Sequence, residues 1–356
     1  MANLSSYGFI GYEDIAGERV VDGNIRIVND AIAASLAEHN RQVNEALREL
    51  TDPTTEYTAR FKLPGGGTLQ PADEWSNPLP VQVGGYYDVA FPIQGGQTAW
   101  GDNRVSRAMM TVAEADRNTM TMLRQDADWM KRHILAALLD NSSWTFTDQE
   151  KGALTVQPLA NSDAVTYLKK NGSLATDTHY YAQAGAIADA ANPFPTWKTE
   201  LSEHTGNDGP YVAYVPTNLR PSIQSLANFI DVADPNVNQG IMAPTLTNNA
   251  LGRGFGDEVI GYVDGVYVVE MAMLPDNYGI VVARGASTKV LWMRQYPAAS
   301  LQNFFQENHS PDGNLNEYRF FRYAGFGAYN RVGALAFRIG DAAYATPTGY
   351  STPLAI

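Results

Sequence analysis

The sequence predicts an α+β chain in which a long polar hairpin hangs on a longer helix. Three observations predict it. Between Glu56 and Asn141, two alternating apolar–polar runs flank a stretch rich in glycine and proline. An unbroken helical pattern follows with almost no connector. The second half is mostly short β-prone runs separated by turn signals.

Residues 1–24 contain Gly8, Gly11, Gly17 and Gly23 and read as an extended arm. Ile25 to Leu50 is helical, with Val28, Ile32, Leu36, Val43, Leu47 and Leu50 on one stripe. Thr51-Asp52-Pro53 ends it, because proline restricts the residue before it and donates no hydrogen bond. Tyr57 to Leu63 then alternates, apolar at every odd position, as a strand with one buried face. Tyr86 to Ile93 repeats the alternation through Tyr87, Val89, Phe91 and Ile93, and Pro92 marks an edge or an end. Between the two arms lie Pro64-Gly65-Gly66-Gly67 and the polar run Gln70 to Gly85. Loops beyond about 15 residues are usually functional or mobile. Trp75 and the Tyr86-Tyr87 pair favour an interaction arm over a solvated loop, since large aromatics are enriched at interfaces.

A helix is predicted over 102–140, with Asp102 or Asn103 as its cap. Its stripe is Val105, Met109, Val112, Met120, Leu123, Ala127, Met130, Ile134 and Leu138, with Asp116 as the polar intruder. At 1.5 Å per residue the rod would be about 55–60 Å long. Arg117, Thr121, Arg124, Asp128 and Arg132 fill the opposite face. Methionines 109, 110, 120, 122 and 130 read as gap-filling core.

Residues 142–181 are irregular, with short strands near Trp144 to Phe146 and Ala153 to Val156. A helix over 182–192 breaks at Asn192-Pro193-Phe194-Pro195 and resumes from Thr196 to His204. Tyr211 to Val215 is a buried strand, and Pro216-Thr217-Asn218 leads into a helix through Phe229. Val259 to Val263 and Val266 to Met271 form a hairpin about Asp264-Gly265, a type I′ turn signal. Gly279 to Ala283 and Val290 to Gln295 are strands. Leu301 to Glu307 and Leu315 to Tyr323 form a second hairpin, and Asn330 to Arg338 closes the pattern. The tail, Ala342 to Ile356, reads as loosely held.

Composition narrows the function. A chain of 356 residues has room for about two compact units, and 44% hydrophobic content is that of a globular protein. With no cysteine, disulfides, thiolate chemistry and most structural zinc sites are excluded. No secretion signal and no membrane span are expected. A net charge of −13 without a basic patch argues against tight nucleic-acid binding. The histidines at 39, 133, 179, 204 and 309 are scattered, and His39 and His133 read as surface or packing residues. Gly252-Arg253-Gly254-Phe255-Gly256 precedes a strand, the wrong setting for phosphate. Asp234-Pro235-Asn236 lacks calcium-loop spacing. No catalytic residue, cofactor or metal is expected, because no nucleophile, base and orienter come together.

Several stretches in the second half carry a resemblance. Leu251-Gly252-Arg253, Val259 to Tyr262 and Val269 to Pro275 form one, with Leu274 where methionine is usual. Gly279 to Gly285 with Val290 to Arg294, and Arg319 to Asn330, form the others. In this order, after an arm, a hairpin loop and a long helix, they resemble the major capsid protein of tailed bacteriophages and its Hong Kong 97-type capsid fold. The resemblance implies an N-terminal arm at 1–56, an extended loop at 57–100 and a spine helix at 102–140. It implies a peripheral domain from 101–184 and 285–341, an axial domain at 185–284 and a tail at 342–356.

The function so implied is structural, with no enzyme activity. Copies of the chain would form pentamers and hexamers of an icosahedral shell around double-stranded DNA, without sequence-specific binding and without a membrane. Scaffolding, portal and cement proteins are the further partners implied, and the place is the virion, assembled in the host cytoplasm. Phe61, Trp75, Tyr87 and Phe91 would anchor the loop on a neighbour, and Arg319 and Arg322 would pair across subunits. Gly65, Gly66 and Gly67 would be the hinge. Some members crosslink lysine to asparagine; Lys62, with Asn303, Asn308 or Asn314, is the candidate here, and the sequence does not establish the geometry. The alternatives are an encapsulin-like compartment shell holding a cargo enzyme, and an unrelated soluble enzyme or binding protein.

Overall fold

The computed structural model describes residues 17, 25–48, 50–63, 75, 85–103, 109–231, 258–286, 288–309 and 315–354. Helix α1 (Ile25–Leu47) stops where the Thr51 hydroxyl donates to the Leu47 carbonyl at 2.8 Å. Strand β1 (Thr51–Thr54) follows at once and pairs in parallel with β15 (Leu291–Arg294). The hairpin stem is β2 (Thr58–Lys62) and β3 (Tyr86–Ala90), with Phe61 opposite Tyr87.

Helix α2 (Val112–Leu139) is shorter than the expected 102–140. Its 28 residues span about 42 Å at 1.5 Å per residue. Thr111 is the N-cap, and it closes a capping box with Glu114 in place of the cap expected at Asp102 or Asn103. Those two residues end a ten-residue strand, β4 (Gln94–Asn103). β4 pairs residue for residue with β17 (Leu315–Ala328), from Gln94 opposite Ala324 to Asn103 opposite Leu315. The ladder along this 14-residue strand outweighs the local capping preference. The stretch 94–100, expected in the extended loop, thus belongs to a sheet. Met109 and Met120 are exposed; Val105 lies outside the described residues. Asp116 also faces solvent, and the polar residues buried on this helix are Thr119, Asp126 and His133.

Two sheets carry most of the strand residues. In the first, β17 lies between β15, β16 (Phe305–His309) and β4, with β1 at the far edge. The second runs β11 (Phe229–Asp231), β12 (Glu258–Val263), β13 (Val266–Glu270), β10 (Tyr211–Val215), β14 (Tyr278–Ala283), β18 (Ala334–Ile339) and β9 (Tyr180–Gln183). β10 and β14 are buried at every position. β9 and β18 fall in 101–184 and 285–341 of the sequence division, yet they hydrogen-bond into this seven-stranded sheet, because β14 needs a ladder partner on its outer side. Asp264 and Gly265 both have positive φ, the turn their sequence specifies.

Two helices expected from the sequence are absent in that form. Residues 182–192 give β9 and one 3-10 turn, and the helix toward Phe229 is only Arg220–Gln224 (here α4) before β11 begins. The resumed helix is α3 (Phe194–Ser202). Two further hairpins pair locally: β5 (Trp144–Asp148) with β6 (Gly152–Val156), and β7 (Ser162–Leu168) with β8 (Leu174–Thr178).

One apolar core joins the end of α1, the last turns of α2 and one face of both sheets. A second fills the space between the seven-stranded sheet, α3 and α4. The tail is not loose. Asp140, at the C-cap of α2, accepts from the Thr352 amide and hydroxyl, the Thr346 hydroxyl and the Ser142 amide. The Tyr344 hydroxyl donates to Leu139, its ring stacks on Tyr180, and Leu354 is buried. The tail therefore satisfies the Leu139 carbonyl at the end of α2, which a solvated tail would leave to water. Among the described residues no helix is long and apolar enough to cross a membrane.

Candidate functional site

The stem of the hairpin is bolted to its own subunit. Val89 and Phe91 are fully buried with Ala59, and Phe61, Tyr87, Trp292 and Tyr329 pack around them. Trp292 and Tyr329 stack at 3.8 Å, Phe91 lies 5.5 Å from Trp292, and Phe61 lies 5.0 Å from Tyr329. Two arginines close the joint. The Arg294 guanidinium sits 3.5 Å over the Tyr57 ring and donates to the Phe91 carbonyl. Arg331 donates to the Tyr87 hydroxyl at 2.8 Å and to the carbonyls of Leu159 and Asn161. Burial pushes the Tyr87 hydroxyl up and the Arg331 guanidinium down from their ordinary values.

These contacts sort the expected anchors. Phe91, at 0% exposure, is occupied inside its own subunit and has no face left for a neighbour. Phe61 and Tyr87 are half-buried on the same inner side. Trp75 is 92% exposed, Tyr86 is exposed beneath the Arg60 guanidinium, and Lys62 is exposed. Gly65, Gly66 and Gly67 lie outside the described residues.

Arg322, expected to pair across subunits, pairs within its own. Its Nε and Nη2 donate to both oxygens of Asp126 at 2.8 and 2.5 Å, and both side chains are buried. His39 Nε2 lies 2.8 Å from the same carboxylate, and Asn40 exchanges two hydrogen bonds with the Phe304 backbone. Burial alone would raise the Asp126 carboxyl; hydrogen bonds from Arg322 and His39 overcome it and hold it below the usual range. One carboxylate thus ties α1, α2 and β17 together. The pairing follows from the pleat, which turns Phe320, Arg322 and Ala324 inward against α2. Arg319 points to the other face of β17, half-buried and opposite Glu307 in register.

A second polar cluster lies where β8 meets the end of α3. His204 Nε2 is 2.8 Å from Asp177, and Lys169 is 2.6 Å from Glu203. Asp177, Glu203 and His204 bring ligand-type atoms within 4.8 Å of one another, but the Lys169 ammonium already supplies the cation at Glu203. His179, beside them, is pushed down to about 4 by burial. Between this cluster and the hairpin stem opens a cavity of about 340 Å³, lined by Phe61, Leu63, Tyr87, Tyr167, Leu168 and His204 among others.

Sequence reasoning did not find Asp126, His39, Arg294 or Arg331. Asp126 carried a signal, falling at the helical spacing between Leu123 and Met130. The arginines carried none, since their partners are distant in sequence.

The hairpin stem, the long helix and the paired sheets together make up the tailed-phage capsid fold. The likeness is structural. A structure from Mycobacterium phage Patience matches with a TM-score of 0.66 at 18% identity, over 100% of this chain and 96% of that one. The mature capsid of bacteriophage PhiM1 matches at 0.52 and 11% identity, over 83% and 87%. The capsid of cyanophage P-SCSP1u matches at 0.50 and 11%, over 82% and 87%. No protein-family model and no curated protein matches the chain.

Proposed function

We propose that this chain is the major capsid protein of a tailed phage. Copies assemble as pentamers and hexamers of an icosahedral shell that encloses double-stranded DNA. The observation that carries the reading is the structural match over the full length of both chains, rather than over a single shared domain. Trp75, exposed beyond a clamped stem, supports it, since a large aromatic of that kind suits an interface with a neighbour. The role is structural, without catalysis, and the place is the virion, filled in the host cytoplasm. Scaffolding, portal and cement proteins are its further partners, and the shell surrounds DNA without reading its sequence. Interfaces of roughly 2,000–5,000 Å² suffice to hold such a shell without covalent bonds. Electron microscopy of the purified protein tests this. Closed particles of uniform diameter are expected across ordinary salt and pH; small species under every condition would refute it. Nuclease-protected double-stranded DNA in particles from infected cells tests the contents.

A further inference from the structure

Among the described residues β4 pairs with β17 alone, and that ladder runs ten residues without a bulge. In an antiparallel strand alternate residues turn their backbone groups away from the partner, so about half of those on β4 face its far edge. Proteins blunt such edges with charge, proline, bulges or brevity, because a long regular edge is a template for another chain. The other edges of the two sheets follow that rule. β1 carries Asp52 and Pro53, β16 carries Glu307, and β11 and β9 have three and four residues. β4 does not follow it. From Gln94 to Gly101 it has no charge and no proline, and Gly95, Gln97 and Ala99 are exposed.

A chain of net charge −13 meets its own copies at least cost where charge is absent. β4 is such a place, and it is self-complementary. Antiparallel pairing of two copies about Gln97 sets Gly95 opposite Ala99 and Gln97 opposite itself. A carboxamide both donates and accepts, so two of them satisfy each other. Ala99 of one copy then lies opposite Gly95 of the other, on which the Tyr323 ring rests. We infer that two copies join through β4, antiparallel across a twofold axis at Gln97, so that their sheets continue as one. The inference rests on the reading of the chain as a shell subunit and names one contact between its copies. Such a contact is isologous, the same patch serving both partners, and its main-chain hydrogen bonds supply affinity.

The absence of cysteine lets a thiol be placed singly. Copies carrying Gln97→Cys are held under assembly conditions and oxidised. Residues directly opposite in an antiparallel pair have Cα atoms about 4.5–5.5 Å apart, within disulfide reach. A disulfide-linked dimer is therefore expected on a non-reducing gel. Ala99→Cys, on the same face, should stay monomeric, since its two copies would lie about 14 Å apart along the strands. Asp128→Cys, on the exposed face of α2, sets the background. Charge gives a second readout. Gln97→Lys or Gln97→Glu alone should raise the subunit concentration needed for assembly about tenfold, because the twofold sets each charge against itself. Mixing the two variants should bring it back toward the wild-type level. Wild-type particles are scored separately by microscopy. Particles with no Gln97→Cys dimer above background, or with an equally strong Ala99→Cys dimer, overturn the edge pairing and leave the shell reading standing. So do charge variants that assemble like the wild type. A Gln97→Cys dimer without particles upholds the pairing and overturns the shell; neither product overturns both.

Discussion

The seven-stranded sheet and the joints around the hairpin stem, the long helix and the tail are held together in different ways. Around β10 and β14 both faces are filled by apolar side chains, with Trp197 stacked on Phe337 at 4.3 Å. Where α1, α2, the hairpin stem and the tail meet, buried charges do the joining: Asp126 with Arg322, Arg294 under Tyr57, Arg331 on Tyr87, and Asp140 on the tail. Apolar packing is tolerant of exchange at constant volume, whereas a buried ion pair accepts one geometry. The sheet therefore supplies stability, and the joints fix how the arms leave the body. That division suits a subunit whose arms must meet neighbours in register.

The comparison breaks most sharply at Asp126. Asp126→Ala leaves Arg322 buried without its counter-charge and should cost about 3–5 kcal/mol in urea unfolding. Replacing both, Asp126→Leu with Arg322→Met, should recover most of that loss. A double variant as unstable as the single one would mean that packing, not charge, holds this joint. Trp197→Ala in the core beside the seven-stranded sheet should cost a similar 3–5 kcal/mol or so, with no partner substitution to rescue it.

Acid should separate the regions next. The folded pKa of His179 is depressed, so between its ordinary 6.5 and about 4 the unfolded chain binds the extra proton. Stability is fully present above pH 6.5 and falls as pH drops toward 4, by up to about 3 kcal/mol. His179→Gln should flatten that slope in a pH series of thermal midpoints. Asp126 acts lower: its contribution is present above the ordinary carboxylate pKa and is lost as pH falls through its depressed folded value.

Asp140→Ala, which strands the Thr346 and Thr352 donors, should cost about 2–3 kcal/mol and free the tail to proteolysis. The smallest effect belongs to the solvent-facing Arg60–Asp88 pair on the stem. Asp88→Asn should leave the unfolding midpoint unchanged, since surface ion pairs add little.

Much of this was legible. The period-two arms at Tyr57 to Leu63 and Tyr86 onward are the stem strands, and the Asp264-Gly265 turn formed as written. The Thr111-x-x-Glu114 box was also in the sequence and gave a better helix start than Asp102. The candidate site was less legible. Trp75 was readable as an exposed aromatic in a polar loop, whereas the burial of Phe91 and the inward turn of Arg322 were not. Strand alternation says that residues alternate; it does not say which side meets a helix 196 residues away in sequence.

By itself the sequence determined what short-range sterics and periodicity control: the rhythm of α1 and α2, the stem strands, the hairpin turns and the exclusion of disulfides. Only the tertiary structure decided which edge takes β4, where α2 begins, which aromatic stays in solvent and which carboxylate each buried arginine finds. Those choices rest on contacts between residues far apart in the chain, where the burial of one partner sets the electrostatic cost of the other.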